Sequence, residues 1–250
     1  MKHEPIFIMD EDDKTIGRIY SRREALKLIV GAGGGLLLAA GGPLGGDDAE
    51  LGEVAAGCIV RPELTEGPIF VDDQQNRSDV RTDPSNGAIS AGALLNLTFN
   101  ISTLQDNACT PLANAQVDIW QCDAAGIYSD TDQLGFDTVG QKFLRGHQFT
   151  DENGQVTFQT IYPGWYEGRA VHIHFKIRTD DGYDFTSQLF FDDDFTSEVF
   201  KREPYAERGE PVLRNSDDGI FNENGDQLML QVEEDGEGYK TAFDITLDMS

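Results

Sequence analysis

The stretch "IYPGWYEGRAVHIHF", residues 161–175, places Tyr162, Tyr166, Arg169, His172 and His174 within fifteen positions of a chain that has four histidines in all. On a strand, the residues of "AVHIHFKI" alternate. Val171, Ile173, Phe175 and Ile177 face one way, and His172, His174 and Lys176 face the other. Both imidazoles could then reach one ion, with tyrosines completing its shell. A His-x-His pair by itself fixes no metal, because such pairs also occur as hydrogen-bonded or exposed strand residues. Two phenols narrow the chemistry: Tyr166 lies in the turn "YPGWY" just before the strand, and Tyr128 follows another apolar stretch in "DIWQCDAAGIYSD". Competing roles exist for several residues. Tyr162 shares the turn with Tyr166, His147 in "FLRGHQF" could join the pair in a three-histidine zinc or copper site, and the run of residues 192–194 reads as a solvated turn because it lacks calcium-loop spacing.

The elements that must position these groups read as strands. In "LLNLTFNIS", Leu95, Leu97, Phe99 and Ile101 alternate with Asn96, Thr98, Asn100 and Ser102, the pattern of a half-buried antiparallel strand. The segment "YKTAFDITLDM" repeats the device with Tyr239, Thr241, Phe243, Ile245 and Leu247. "QVDIWQC", "QVTFQTI", "AVHIHFKI", "TSQLFF" and "QLMLQV" lie between them, separated by turn material such as "DPSNG", "DENG", "NENG" and "EDGEG". The spacing predicts an all-β chain folded as an antiparallel β-sandwich, with little helix beyond a short one near residues 197–201. No internal repeat is visible.

Of the 250 residues, 39% are hydrophobic, enough for a substantial core. The 45 acidic and 19 basic residues give a net charge of −26, a field that opposes a general nucleic-acid role. Abundant aspartate and scarce lysine fit a protein kept soluble in high salt, so a halophilic source is an expectation. "SRREALK", with Arg22 and Arg23, leads into "LIVGAGGGLLLAAGG" and resembles a twin-arginine export signal. The apolar run over residues 28–40 is shorter than the roughly 20 residues a membrane span needs, so no stable span is expected after export. We expect an export signal at 1–45, a linker at 46–57 and a β-domain at 58–250, working outside the cytoplasm or in the cell envelope. Twin-arginine routes carry folded proteins, often with a cofactor already inserted. For the cysteines the preferred pairing is Cys109 with Cys122, leaving Cys58, which ends "VAAGC" far from the apolar run and is a poor lipid-anchor site. Asn76, Asn96 and Asn100 each begin an N-x-S/T sequon.

"VDIWQCDAAGIYSD", "TIYPGWYEGRAVHIHF", "TSQLFF" and the upstream "ELTEGP" together resemble the intradiol ring-cleavage dioxygenases, across residues 58–250. The resemblance implies a β-sandwich in which Tyr128, Tyr166, His172 and His174 hold Fe(III). Phenolates suit that ion as hard anionic donors, and binding it drives tyrosine far below its free pKa of about 10. It implies a small aromatic diol and O2 as partners, with the ring cut between its two hydroxylated carbons to give a muconate-type dicarboxylic acid. Tyr128 and His174 would be equatorial ligands and His172 an axial one. Tyr166, the other axial ligand, would leave the metal and help accept a substrate proton. Arg169 and Gln188 match residues that act beside the metal, the arginine by stabilising carbanionic character on the ring. The chain lacks the long helical amino-terminal region of the intracellular catechol and hydroxyquinol enzymes, and its Tyr166-to-His172 spacing is shorter than in protocatechuate enzymes. Its acidic surface disfavours carboxylated aromatics unless Arg145 or Arg169 offsets it. Oligomeric state is left open. The rival functions are a transthyretin-like or carbohydrate-binding sandwich without catalysis, and the zinc or copper site built on His147.

Overall fold

The computed structural model describes residues 58–249 except Asp73, Asn107 and Leu134. The Arg22–Arg23 signal and the expected linker lie outside the described residues. Chain order runs β1 (Leu94–Gln105), β2 (Ala108–Pro111), β3 (Gln116–Trp120), β4 (Arg145–Phe149), β5 (Gln155–Ile161), β6 (His172–Arg178), β7 (Asp184–Phe190), α1 (Asp193–Val199), α2 (Tyr205–Arg208), three short 3-10 turns, β8 (Glu233–Asp235) and β9 (Gly238–Leu247). Strands β2, β1, β9 and β8 form one sheet, to which β5 adds by pairing with β1, and β4, β3, β6 and β7 form the other.

The sandwich core sits where the period-two faces meet. Leu95, Leu97, Phe99 and Ile101 of β1 are buried against Ile173, Phe175 and Ile177 of β6 and Phe243 and Ile245 of β9. Phe175 packs on Phe99 at a centroid distance of 5.3 Å and on Phe243 at 5.7 Å. Each fully buried ring of this kind stabilises the fold by roughly 1.5–3 kcal/mol. Because these apolar residues claim the inner face of β6, the sheet register throws His172 and His174 onto its outer face.

The expected all-β sandwich with little helix is what the chain forms, and four finer expectations need correction. First, β1 pairs with β9 in parallel register, Leu95 opposite Tyr239 through Thr103 opposite Leu247, so the larger sheet is mixed rather than wholly antiparallel. Second, "QLMLQV" is not a strand: it leaves a 3-10 turn at Gly225–Leu228, and its pairing with β7 is a single bridge at Met229 and Phe190. Third, the helix begins earlier than residues 197–201, because the Asp192 carboxylate accepts from the Phe195 amide at 2.8 Å and caps it. Asp193 and Asp194 then fill a first turn that favours negative charge. Fourth, the disulfide joins Cys58 to Cys109, with Cα atoms 5.6 Å apart. Cys109 on β2 pairs with Leu104 at one end of the larger sheet. Cys58 arrives at the same end by way of a bridge between Val60 and Thr246. Cys122, just beyond the end of β3 in the other sheet, is a buried free thiol. Among the described residues no helix is long and apolar enough to cross a membrane.

Candidate metal centre

The outer face of the smaller sheet carries a row of side chains set by register: Arg145 lies opposite Trp120, Trp120 opposite His174, and His174 opposite Gln188. Two coverings roof this row. One is the segment before β1, which runs antiparallel to nothing regular but is tied down residue by residue. Leu64 N–H donates to the Thr186 carbonyl at 3.1 Å, the Ser187 hydroxyl to the Pro62 carbonyl at 2.9 Å, and the Gln188 amide to the Thr65 carbonyl at 2.8 Å. Lys176 pairs with Glu66 and sits 4.7 Å over the Phe70 ring. The other covering is the loop between β3 and β4, which carries Tyr128. Ile69, Trp120, Cys122 and Tyr128 form a small buried cluster there, flanked by Phe70, Phe136 and Tyr166.

The loop is shaped by local bonds. The Asp123 carboxylate accepts from the Ala125 and Ile127 amides at 2.9 Å each, Gly126 takes a φ of +79°, and the Thr138 hydroxyl donates to the Tyr128 carbonyl at 2.6 Å. Gly126 has a second reason to lack a side chain, since a Cβ there would lie 2.0 Å from the Trp165 carbonyl oxygen. This close approach sets the Tyr128 loop against the turn that carries Tyr166.

Four donor atoms converge under this roof. His172 Nε2 lies 3.0 Å from His174 Nε2 and 3.4 Å from each of the Tyr128 and Tyr166 hydroxyls. The His172 Nδ1 side lies 2.6 Å from the Ala170 carbonyl, a bond that places the proton on Nδ1 and turns the Nε2 lone pair toward the cluster. His174 stacks on Trp120, with centroids 4.9 Å apart and an interplanar angle of 10°, and its Nδ1 is buried without a partner. Two nitrogens 3.0 Å apart fit neighbouring positions around one ion whose metal–nitrogen bonds are about 2.1 Å.

The remaining sequence candidates sort cleanly. Arg169 and Gln188 belong to the same assembly: the guanidinium Nη2 donates to Gln188 Oε1 at 2.5 Å and Nη1 lies 3.5 Å from His172 Nε2. His147 does not join it. It lies opposite Asp118, which faces Lys176, two residues along from the His174 row and two strands away, and it packs on Phe149. Among the described residues no group of three or more His, Cys, Asp or Glu is placed to hold a metal. Tyr162 is core, its hydroxyl 2.7 Å from that of Thr196. Arg145 is consumed locally, donating to the Ser129 hydroxyl at 2.8 Å and the Ile69 carbonyl at 3.3 Å. Asp218, which sequence reasoning missed, accepts from Arg169 Nε at 3.0 Å. It sits in the unpatterned "NSDDG", far from Arg169 in sequence, and only the folded chain reveals it.

A family model described as "Dioxygenase" matches residues 65–248. The chain belongs to the intradiol ring-cleavage dioxygenase family. An intradiol ring-cleavage dioxygenase from Tetranychus urticae is 30% identical, covers 76% of this chain and 95% of its own, and superposes with a TM-score of 0.68. The dioxygenase domain of a dioxygenase–carbohydrate-binding fusion from Streptomyces sp. SirexAA-E is 29% identical over 76% of this chain and 99% of its own, with a TM-score of 0.54. The catechol 1,2-dioxygenase of Acinetobacter baylyi is 30% identical over 167 residues, 57% of this chain. That match spans about half (49%) of the curated relative's length.

The electrostatics of this intradiol dioxygenase chain favour neutral donors until a cation arrives. Burial, then the neighbouring Tyr166 and Cys122, push the Tyr128 phenol well above the usual tyrosine range, with Arg169 opposing. Burial also raises Tyr166, and Arg169 again works against it. Burial lowers both histidines well below the ordinary value, assisted at His172 by Arg169 and at His174 by His172, Arg169 and Arg145. Burial works against the Arg169 cation too, but Tyr166, Asp218 and Tyr128 outweigh it and the guanidinium stays charged. Neutral imidazoles keep their lone pairs free, and phenols of this kind would ionise only beside a strong positive charge, a donor set that suits a buried metal cation.

Proposed function

We propose that the chain is a non-haem iron(III) dioxygenase that cleaves a catechol-type ring between its hydroxylated carbons with O2, yielding a muconate-type dicarboxylic acid. The observation that carries the reading is the convergence of two neutral imidazole nitrogens and two phenols, all within 3.4 Å of His172 Nε2, in a family whose members include catechol 1,2-dioxygenases. Tyr128, Tyr166, His172 and His174 would hold the ion, and two tyrosinates with one hydroxide would balance its charge, which lowers the cost of burying it. Bound Fe(III) would supply Lewis acidity that makes a chelated diol susceptible to O2.

The protein's own residues supply the rest. His172 is fixed in one tautomer by the Ala170 carbonyl, and His174 is held flat by Trp120, so neither ring must reorganise to present its Nε2. Tyr166 is half-buried where Tyr128 is fully enclosed, so it is the tyrosine that, ionised by a bound cation, would be able to move aside and as a phenolate take a proton from an incoming diol hydroxyl. The Arg169 guanidinium is a fixed cation beside the donor cluster and would stabilise negative charge developing on the ring carbon. Gln188 restrains that guanidinium and, through Thr65, ties it to the roofing segment.

We also propose that the enzyme works outside the cytoplasm. The Arg22–Arg23 motif supports this, as does the Cys58–Cys109 disulfide, a bond that persists in oxidising compartments. The same bond engages the Cys58 thiol, which argues against a lipid at that position. The activity is tested by incubating iron-loaded protein with catechol. One O2 taken up per catechol, with an acyclic dicarboxylic acid carrying both oxygen atoms by mass, supports the reading. Catechol bound without oxygen uptake would favour a binding module instead.

A further inference from the structure

Asp218 lies outside every strand and offers no donor to the metal cluster, yet it is 1% exposed and fully engaged. Its Oδ2 accepts from Arg169 Nε at 3.0 Å and from the Ala170 amide at 2.8 Å. Its Oδ1 accepts from the Ile220 amide at 2.8 Å and the Phe221 amide at 3.3 Å. The first pair reaches into the metal centre and the second anchors the carboxylate to the turn at Phe221–Glu223. A guanidinium is a rigid planar fork. Pinned at Nε by Asp218 and at Nη2 by Gln188, it has one remaining corner, and that corner, Nη1, points at His172 Nε2 from 3.5 Å. Gln188 alone would leave the plane free to swing about a single contact. The hold on Ala170 adds a second route, because the carbonyl of the same residue accepts from His172 Nδ1.

We propose that Asp218 is the positioning residue of this site: it fixes the Arg169 guanidinium against the donor cluster and holds the Ala170 backbone that orients His172. The chemical consequence rests on the ferric reading above, while the positional claim rests on the hydrogen bonds alone. Asp218→Asn tests it well, because one amide oxygen cannot replace two carboxylate oxygens. Whichever way the amide is turned, its NH2 confronts N–H donors.

The experiment uses the full exported chain, wild type and variants, with and without iron. In crystals of metal-free Asp218→Asn, Arg169 Nη1 is expected to leave its place beside His172. An unmoved guanidinium overturns the proposal. With iron loaded, Asp218→Asn is expected to keep its metal, shift the tyrosinate-to-iron absorption band and lose about tenfold to a hundredfold in kcat. In the double variant Asp218→Asn with Arg169→Gln the loss in kcat is expected to be smaller than the product of the two single losses, the excess over Arg169→Gln alone being the part carried through Ala170 and His172, whereas fully multiplicative losses overturn the route through Arg169. If Asp218→Asn does not fold, Asp218→Glu keeps the charge while displacing the carboxylate. It should then show the same displacement of Arg169 and an intermediate band shift, and a wild-type band and wild-type geometry would overturn the claim. Wild-type protein that takes up no iron would remove the ferric reading and leave the metal-free crystal structures to decide the positional claim.

Discussion

Replacing Cys58 and Cys109 together by serine removes a cross-link across 51 residues. In the chain-entropy description, a bridge over a loop of that length raises the free energy of the unfolded ensemble by about 4 kcal/mol at 25 °C. The pairing first expected, Cys109 with Cys122, closes a loop of about 13 residues and would contribute about 3 kcal/mol. The two pairings therefore differ in magnitude and, more decisively, in which cysteines matter. The bridge sits at one end of the larger sheet, whereas the His174 row lies on the smaller one. Between it and the site, the roofing segment keeps its own anchors at Thr186, Ser187 and Gln188. The double variant should consequently lose about 4 kcal/mol by urea unfolding, a fall of about 8–16 °C in Tm for a domain of this size. It should keep its metal and activity at 25 °C. Cys122→Ser, which removes a buried thiol that contacts the Gly164 carbonyl at 3.4 Å, should cost only about 1 kcal/mol. Peptide mapping that finds Cys109 joined to Cys122, or a Cys58/Cys109 variant as stable as wild type, would refute the reasoning.

Three further outcomes follow from the geometry. Gly126→Ala drives a Cβ into the Trp165 carbonyl at a position with φ of +79° and should lower stability by about 1–3 kcal/mol while weakening metal retention, read by thermal melts and metal analysis. Metal-free protein should lose stability as pH falls below about 6.5, because unfolded histidines take up protons that buried His172 and His174 refuse; urea midpoints from pH 8 to 5 that rise or stay level in the metal-free protein, with His172→Asn/His174→Asn as the comparison, would contradict this. Glu63, which burial pushes up to about 7, holds its proton in the folded state after an unfolded glutamate has lost it. Its stabilising contribution is therefore complete below about pH 4.5 and lost as pH rises through 7. Glu63→Gln should raise Tm above pH 7 and leave it unchanged near pH 4, and a benefit confined to acid pH would reverse the assignment.

The alternation in β1, β6 and β9 was readable because each strand buries one face and leaves the other polar or functional, so period two survives in the letters. His172 and His174 were legible for the same reason: Ile173, Phe175 and Ile177 define the core face and leave the histidines one direction to point. Tyr128, Tyr166, Arg169 and Gln188 were found through resemblance of short motifs, and the structure gathers all four around the histidine pair. Other features depend on distant partners. "QLMLQV" alternates like a strand, but Leu228 and Leu230 are buried beneath β7 through a short contact, and no continuous ladder forms. The parallel pairing of β1 with β9 and the Cys58–Cys109 bond both join segments more than fifty residues apart, where spacing carries no information. Asp218 is one aspartate among many in an acidic chain, and its four donors come together only after folding.

The most direct test of the central claim is metal analysis of the purified protein together with its visible spectrum, before and after anaerobic addition of catechol, for wild type, Tyr128→Phe and Tyr166→Phe. The account predicts near-stoichiometric iron in wild type, a reddish tyrosinate-to-iron band that shifts when catechol is added, and loss or marked change of that band in each tyrosine variant. Colourless wild-type protein after iron reconstitution, or a full wild-type spectrum in both tyrosine variants, would contradict it.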